Sequence, residues 1–119
     1  MTAVPPPALV ATYRLQLTPD FGFADAAELV EHLHELGVSH VYTSPVFDAV
    51  PGSTHGYDVV DHHLLNDELG GEDGFRRLVA AVRDRGMGLV VDVVPNHMAA
   101  HPHNEKWWDV LRFGRASRY

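Results

Sequence analysis

The stretch Leu89-Val-Val-Asp-Val-Val-Pro-Asn-His97 sets one carboxylate, Asp92, inside an aliphatic run and closes on Pro95, Asn96 and His97. A carboxylate among valines must be paired or protonated, because an isolated buried charge carries a large desolvation cost. Side chains alternate along a strand, so Asp92 shares a face with Val90 and Val94 and requires a polar partner from another element. Read alone, Asp92 is equally an aspartate near a strand end that ties down a neighbouring loop. Asn96 and His97 fall just past the run, where a side chain projects into a site while the sheet fixes its backbone. Taken singly, each also fits a turn asparagine and a surface histidine.

A second cluster lies in Gly52-Ser-Thr-His-Gly-Tyr-Asp-Val-Val-Asp-His-His63, which offers His55, Tyr57, Asp58 and His62. Tyrosine between glycine and aspartate suits sugar recognition: the aromatic face covers the C–H face of a pyranose and the carboxylate accepts hydroxyl hydrogen bonds. The same residues also fit an Asp-rich turn, with Tyr57 packed as core and Asp61 capping local backbone. His97, His101 and His103 invite a metal, but Pro102 breaks any helix that would align them, and neither an H-E-x-x-H motif nor a cysteine is present. No metal and no cofactor is expected. Trp107 and Trp108 offer a stacking platform, although core is the commoner fate of paired tryptophans.

The elements that must position these residues follow from periodicity. Pro5, Pro6 and Pro7 mark residues 1–10 as an extended lead-in, and residues 11–119 read as one domain. Ala11-Thr-Tyr-Arg-Leu-Gln-Leu17 is rich in strand formers and stops at the turn signal Thr18-Pro19-Asp20. From Asp25, the residues Ala26, Leu29, Val30, Leu33 and Leu36 follow one helical face, with Gly37 closing the helix. Residues 38–44 read as strand two. Phe75, Leu78, Val79 and Val82 mark a second helix ending at Gly86, and residues 88–94 read as strand three, apolar enough for burial on both faces.

The order is β-α-β-α-β, with right-handed crossovers and parallel strands expected. Strand one is followed by neither G-x-G-x-x-G nor a Walker lysine, which disfavours a dinucleotide-binding sheet. A (β/α)8 barrel is the alternative, with its chemistry at the carboxyl ends of the strands. Those ends carry Ser44-Pro45, the long segment from Pro45 to Gly71, and Pro95-Asn96-His97. A barrel requires roughly 200 residues or more; these strands are therefore either a small open sheet or the incomplete first part of a barrel.

The chain has 119 residues, 45% of them hydrophobic, with 9 Lys and Arg against 16 Asp and Glu and a formal charge of −7. Ordinary composition supports a folded domain, and the acidic balance argues against nucleic acid as a partner. The chain contains no cysteine, so disulfides are excluded. The amino end lacks a signal-peptide pattern and no apolar run approaches a membrane span, which reads as a soluble cytoplasmic protein with no membrane partner. Three parallel strands leave an open sheet edge, through which self-association is expected.

Together these segments resemble the α-amylase superfamily, glycoside hydrolase family 13. "DVVPNH" at 92–97 is similar to its first signature region, at the end of barrel strand three, and "HGYD" at 55–58 to its loop after strand two. "TYRLQL", "SPVF", "GSTHGYDVVD", "NDELGG" and "VPNHMA" resemble more narrowly the amino-terminal region of its trehalose-forming branch, the maltooligosyltrehalose synthases, over residues 12–119. The resemblance implies isomerisation of the reducing-end α-1,4 linkage of a maltooligosaccharide to α-1,1 by intramolecular transglucosylation. It implies that Tyr57 stacks on the transferred glucosyl unit, that Asp58, Asn96 and His97 belong to its binding site, and that Asp92 supports the catalytic face. It also places the nucleophile and the acid/base on later strands, so that this chain alone is expected to be inactive. The alternatives are part of an α-amylase-type hydrolase and a non-catalytic carbohydrate-binding module.

Overall fold

A computed structural model describes residues 5–119; the first four positions of the expected lead-in lie outside the described residues. Strand β1 (Thr12–Leu15), helix α1 (Phe23–Glu35), β2 (His40–Thr43), β3 (Phe47–Ala49), β4 (Val59–Leu65), α2 (Gly71–Asp84), β5 (Gly88–Val91) and α3 (Glu105–Phe113) follow in order. β1, β2 and β5 form a parallel sheet in that order, with Thr12 opposite His40 and His40 opposite Gly88. β3 and β4 form a separate antiparallel hairpin. The β-α-β-α-β frame expected from periodicity is present.

Alternation divides the sheet into two chemically different faces. Leu15, Leu17 and Val41 turn toward the helices and join Phe23, Ala26, Val30, Leu33, Leu78 and Val82 in one core. Helices α1 and α2 pack on each other there, with Phe23 and Phe75 edge to face at 5.5 Å. The other face of the sheet is set by Arg14 and Gln16 of the first strand segment, His40 and Tyr42, and Gly88 and Val90. Among the described residues the apolar core lies on the opposite side, and every residue of β5 is only partly buried. The burial on both faces expected of strand three is therefore corrected: among the described residues the apolar core lies on one side of the sheet.

Element ends differ from expectation for local reasons. β1 spans Thr12–Leu15 rather than 11–17, and β5 stops at Val91, so Asp92 stands just past the strand instead of inside it. The ladder reaches one residue further through Asp92 N–H to Thr43 O at 3.0 Å, then Pro95 ends it. α1 begins at Phe23, two residues before Asp25, because the Asp25 carboxylate reaches back to the Gly22 amide at 3.0 Å and closes the first turn. α2 begins at Gly71 rather than Phe75; its first turn is Glu72-Asp73, favourable at a helix N-terminus but invisible to an apolar pattern. The long segment after Ser44 holds the β3–β4 hairpin, and α3 lies in a segment to which periodicity assigned no element. Trp107 and Trp108 on α3 are 43% and 48% exposed, not core. None of the described helices is long and apolar enough to cross a membrane.

The lead-in ends in an anchor. Ser39 Oγ accepts the Val10 and Ala11 amides at 2.9 and 3.0 Å and donates to Ala11 O at 2.9 Å, which sets where β1 enters the sheet.

Candidate active-site face

The carboxyl ends of β1, β2 and β5 deliver the polar residues to one place. Asp92 extends from the end of β5, and Tyr57 enters from the loop between β3 and β4. The Tyr57 hydroxyl donates to Asp92 Oδ2 at 2.5 Å. The polar partner that Asp92 required is thus a residue of the second sequence cluster. Arg14 Nη2 donates to the same phenol oxygen at 2.8 Å and lies 3.9 Å from Asp92 Oδ2.

His97 meets Tyr57 at its backbone. Its Nε2–H donates to Tyr57 O at 3.1 Å, which assigns the proton to Nε2 and leaves Nδ1 as an acceptor in the neutral ring. Tyr57, Asp92 and His97 therefore converge. Asp58 faces its own loop: Ser53 Oγ donates to Asp58 Oδ1 at 2.6 Å while accepting the Gly56 amide at 3.1 Å. Asn96 is exposed at a bend beyond β5. His55 stacks beside Tyr57 with ring centroids 6.1 Å apart, and its Nδ1 accepts the Tyr57 amide at 3.0 Å.

The Gly56 position shows why this loop reads His-Gly-Tyr-Asp. Its φ is +79°, and a Cβ there would meet Pro45 O at 2.9 Å. Only glycine lets the loop turn under Tyr57 against the end of β2.

The electrostatics follow from these contacts. The hydrogen bond to Asp92, then burial, holds the Tyr57 phenol above its ordinary value, with Arg14 opposing. Tyr57 is accordingly a neutral donor. Burial alone would lower the Arg14 guanidinium, but Tyr57 and Tyr42 outweigh it and raise the group. Among the described residues no group of three or more His, Asp or Glu is placed to hold a metal ion. The His101 and His103 rings face each other at 5.1 Å, while His97 turns to Tyr57.

Arg14 and Gln16 escaped the reading of residue types. Gln16 Oε1 accepts from Arg14 Nη1 at 2.7 Å, and its Nε2 donates to Thr54 O at 3.0 Å and His55 O at 3.4 Å. The signal was present in the alternation Arg14-Leu15-Gln16-Leu17, which puts two long polar side chains on the sheet face away from the helices.

Comparison with known proteins bears on what such a face belongs to. Residues 25–112 match the family described as "Alpha amylase, catalytic domain". The chain belongs to the α-amylase family. Within it, a protein of Mycobacterium tuberculosis H37Rv described as a putative maltooligosyl trehalose synthase is 52% identical over 118 residues, covering 93% of this chain and 15% of that protein. The intracellular maltogenic amylase of Bacillus subtilis 168 is 36% identical over 90 residues, 76% of this chain and 15% of the amylase. The solved maltooligosyltrehalose synthase of Arthrobacter ramosus superposes with a TM-score of 0.89 at 47% identity, over 92% of this chain and 15% of that one. The chain thus spans about 15% of the length of the synthases it matches. In this α-amylase-family chain, β1, α1, β2, α2 and β5 are a parallel β-α-β-α-β part of a (β/α)8 barrel.

Proposed function

We propose that this chain is a section of the catalytic barrel of a maltooligosyltrehalose synthase, the enzyme class that moves a reducing-end α-1,4 linkage to α-1,1. In that reaction the bond from an anomeric carbon to O4 of the terminal glucose breaks. A new bond then forms from the same carbon to the anomeric oxygen of the glucose just released. No water is consumed.

The observation that carries this reading is the convergence of Tyr57, Asp92 and His97 at strand carboxyl ends, where barrel chemistry gathers. In the proposed site the Tyr57 ring forms one wall for the transferred glucosyl unit, and Asp58, Asn96 and His97 contact its hydroxyls. Asp92 is a supporting group held by Tyr57. A retaining mechanism requires two carboxylates about 5 Å apart, a nucleophile and an acid/base. Those belong to barrel strands beyond these 119 residues, so the chain alone is inactive. Its proposed partner is a maltooligosaccharide, with no metal, nucleic acid or membrane involved, in the cytoplasm. The uncovered sheet face and edges promote self-association of the isolated chain.

A hydrolase of the α-amylase type has less support, since the amylase relative is 36% identical against 52% for the synthase. Incubation with maltohexaose tests the proposal. A polypeptide that continues this sequence through the remaining barrel strands is expected to remove reducing ends without releasing glucose. The 119-residue chain by itself is expected to leave maltohexaose unchanged. Net release of glucose or maltose by the longer polypeptide would overturn the synthase reading in favour of the hydrolase.

A further inference from the structure

We propose that Arg14 is a positioning residue for the glucan site, fixing the direction of the Tyr57 hydroxyl proton and, through Gln16, the loop that carries Tyr57. The inference rests on the glucan reading given above and adds to it a residue from β1.

The argument begins with donor and acceptor inventories. A guanidinium has only donors, an ionised carboxylate only acceptors, and a phenol has one proton to give. Arg14 Nη2 at 2.8 Å therefore occupies the Tyr57 oxygen as acceptor. The single phenol proton is left to point at Asp92 Oδ2, 2.5 Å away. The chain of hydrogen bonds runs one way, from Arg14 to Tyr57 to Asp92, and the torsion of the phenol has no second choice.

The other arm of the same guanidinium holds the loop. Arg14 Nη1 donates to Gln16 Oε1 at 2.7 Å, which orients the Gln16 amide so that its Nε2 faces Thr54 O at 3.0 Å. One planar fork thus sets the Tyr57 side chain and the backbone two to three residues before it. Lysine offers a single flexible point of charge and does not reproduce this geometry. Arg14 also lies over the Tyr42 ring of β2, with 5.5 Å from the guanidinium carbon to the centroid, which fixes the plane of the fork.

A merely structural role fits poorly. The Arg14 side chain is 36% exposed, and its separation from Asp92 is 3.9 Å. Exposed ion pairs of that kind contribute little to stability. Its polar contacts lie on the sheet face opposite the helix core, and they lead to Tyr57 and Asp92 directly and to the Thr54–His55 backbone through Gln16.

The test is a double-substitution cycle in the full 119-residue chain, with maltohexaose affinity measured by NMR titration. Arg14→Met is expected to weaken binding roughly tenfold, a coupling of ordinary size for two groups in direct contact. In a Tyr57→Phe background the same change is expected to cost less than about threefold, because only the route through Gln16 then remains. Arg14→Lys, which keeps the charge and preserves folding if Arg14→Met does not, is expected to recover less than half of the lost affinity. In 13C-tyrosine spectra the Tyr57 phenol is expected to titrate at higher pH in Arg14→Met, since the guanidinium opposes its upward shift. Equal losses with and without the Tyr57 hydroxyl, or binding indifferent to Arg14→Met, would overturn the positioning role alone. Failure of the unsubstituted chain to bind maltohexaose would overturn the glucan reading and the proposal together.

Discussion

Two contacts on the sheet face away from the helices determine what single side chains tolerate. His40 is buried, with Nδ1 2.9 Å from Ser39 Oγ, and its ring lies against the Gly88 backbone of the neighbouring strand. A Cβ at Gly88 would stand 2.3 Å from His40 Cδ2, closer than packed atoms allow. Gly88→Ala is therefore expected to destabilise the fold by about 1–3 kcal/mol, the usual cost of overpacking, read as a lower urea midpoint. Tyr57→Phe removes the donor to Asp92 and is expected to cost on the order of 1 kcal/mol, the scale of a partly exposed hydrogen bond to a charged group. The pH dependence has a defined sign. The folded-state phenol titrates above its ordinary value of 10.0, so its stabilising contribution is whole below that pH and is lost as pH rises through the folded-state value. Alkaline unfolding curves of Tyr57→Phe are expected to lack this loss, and an unchanged slope above pH 10 would contradict the hydrogen bond.

At the scale of elements, the β3–β4 hairpin has a charge problem across its own ladder. Asp48 stands directly opposite Asp61 in the register. Burial first, and then the negative charges of Asp61 and Asp67, raise the Asp48 carboxyl above its ordinary value of 3.8. A carboxyl shifted in this direction supports the folded state below its ordinary value, and that support is lost as pH rises through the folded-state value. Asp48→Asn is expected to stabilise the chain at neutral pH by about 0.2–1 kcal/mol, the range for cross-strand pairs. The gain should vanish in acid. Thermal unfolding of both proteins at neutral and acidic pH measures it, and a gain that persists in acid would assign the effect to packing instead. The hairpin went unread because register shifts flank Asp48 and the segment is crowded with Gly, Pro, Asp and His, which masks the period of two. The frame helices were legible because their apolar faces repeat at helical spacing.

For the whole molecule, shape and exposed surface point the same way. The radius of gyration is 16.7 Å with extents of 54 × 34 × 23 Å, against roughly 13–14 Å for a compact domain of this length. α3 buries none of its residues and presents Trp107, Trp108, Leu111 and Phe113 to solvent. Contiguous apolar surface of this kind promotes association. The isolated chain is expected to elute above monomer size in a concentration-dependent way, and Trp108→Glu with Leu111→Lys to shift it toward monomer. Light scattering coupled to size exclusion checks both. A monomer at all concentrations would show that α3 and the sheet edges are compatible with solvent as they stand.

By itself the sequence determined the order of strands and helices in the frame, because apolar period and punctuation by Gly and Pro are local properties. It also marked Tyr57, Asp92 and His97 as candidates by residue type and context. Only the tertiary structure decided that these three meet, that Arg14 and Gln16 join them, and that Asp58 turns toward Ser53 within its own loop. The physical reason is that a parallel sheet brings together the carboxyl ends of strands far apart in sequence. Which side chains then face one another depends on register and loop geometry, and Arg14, Tyr57 and Asp92 lie in three separate stretches of the sequence.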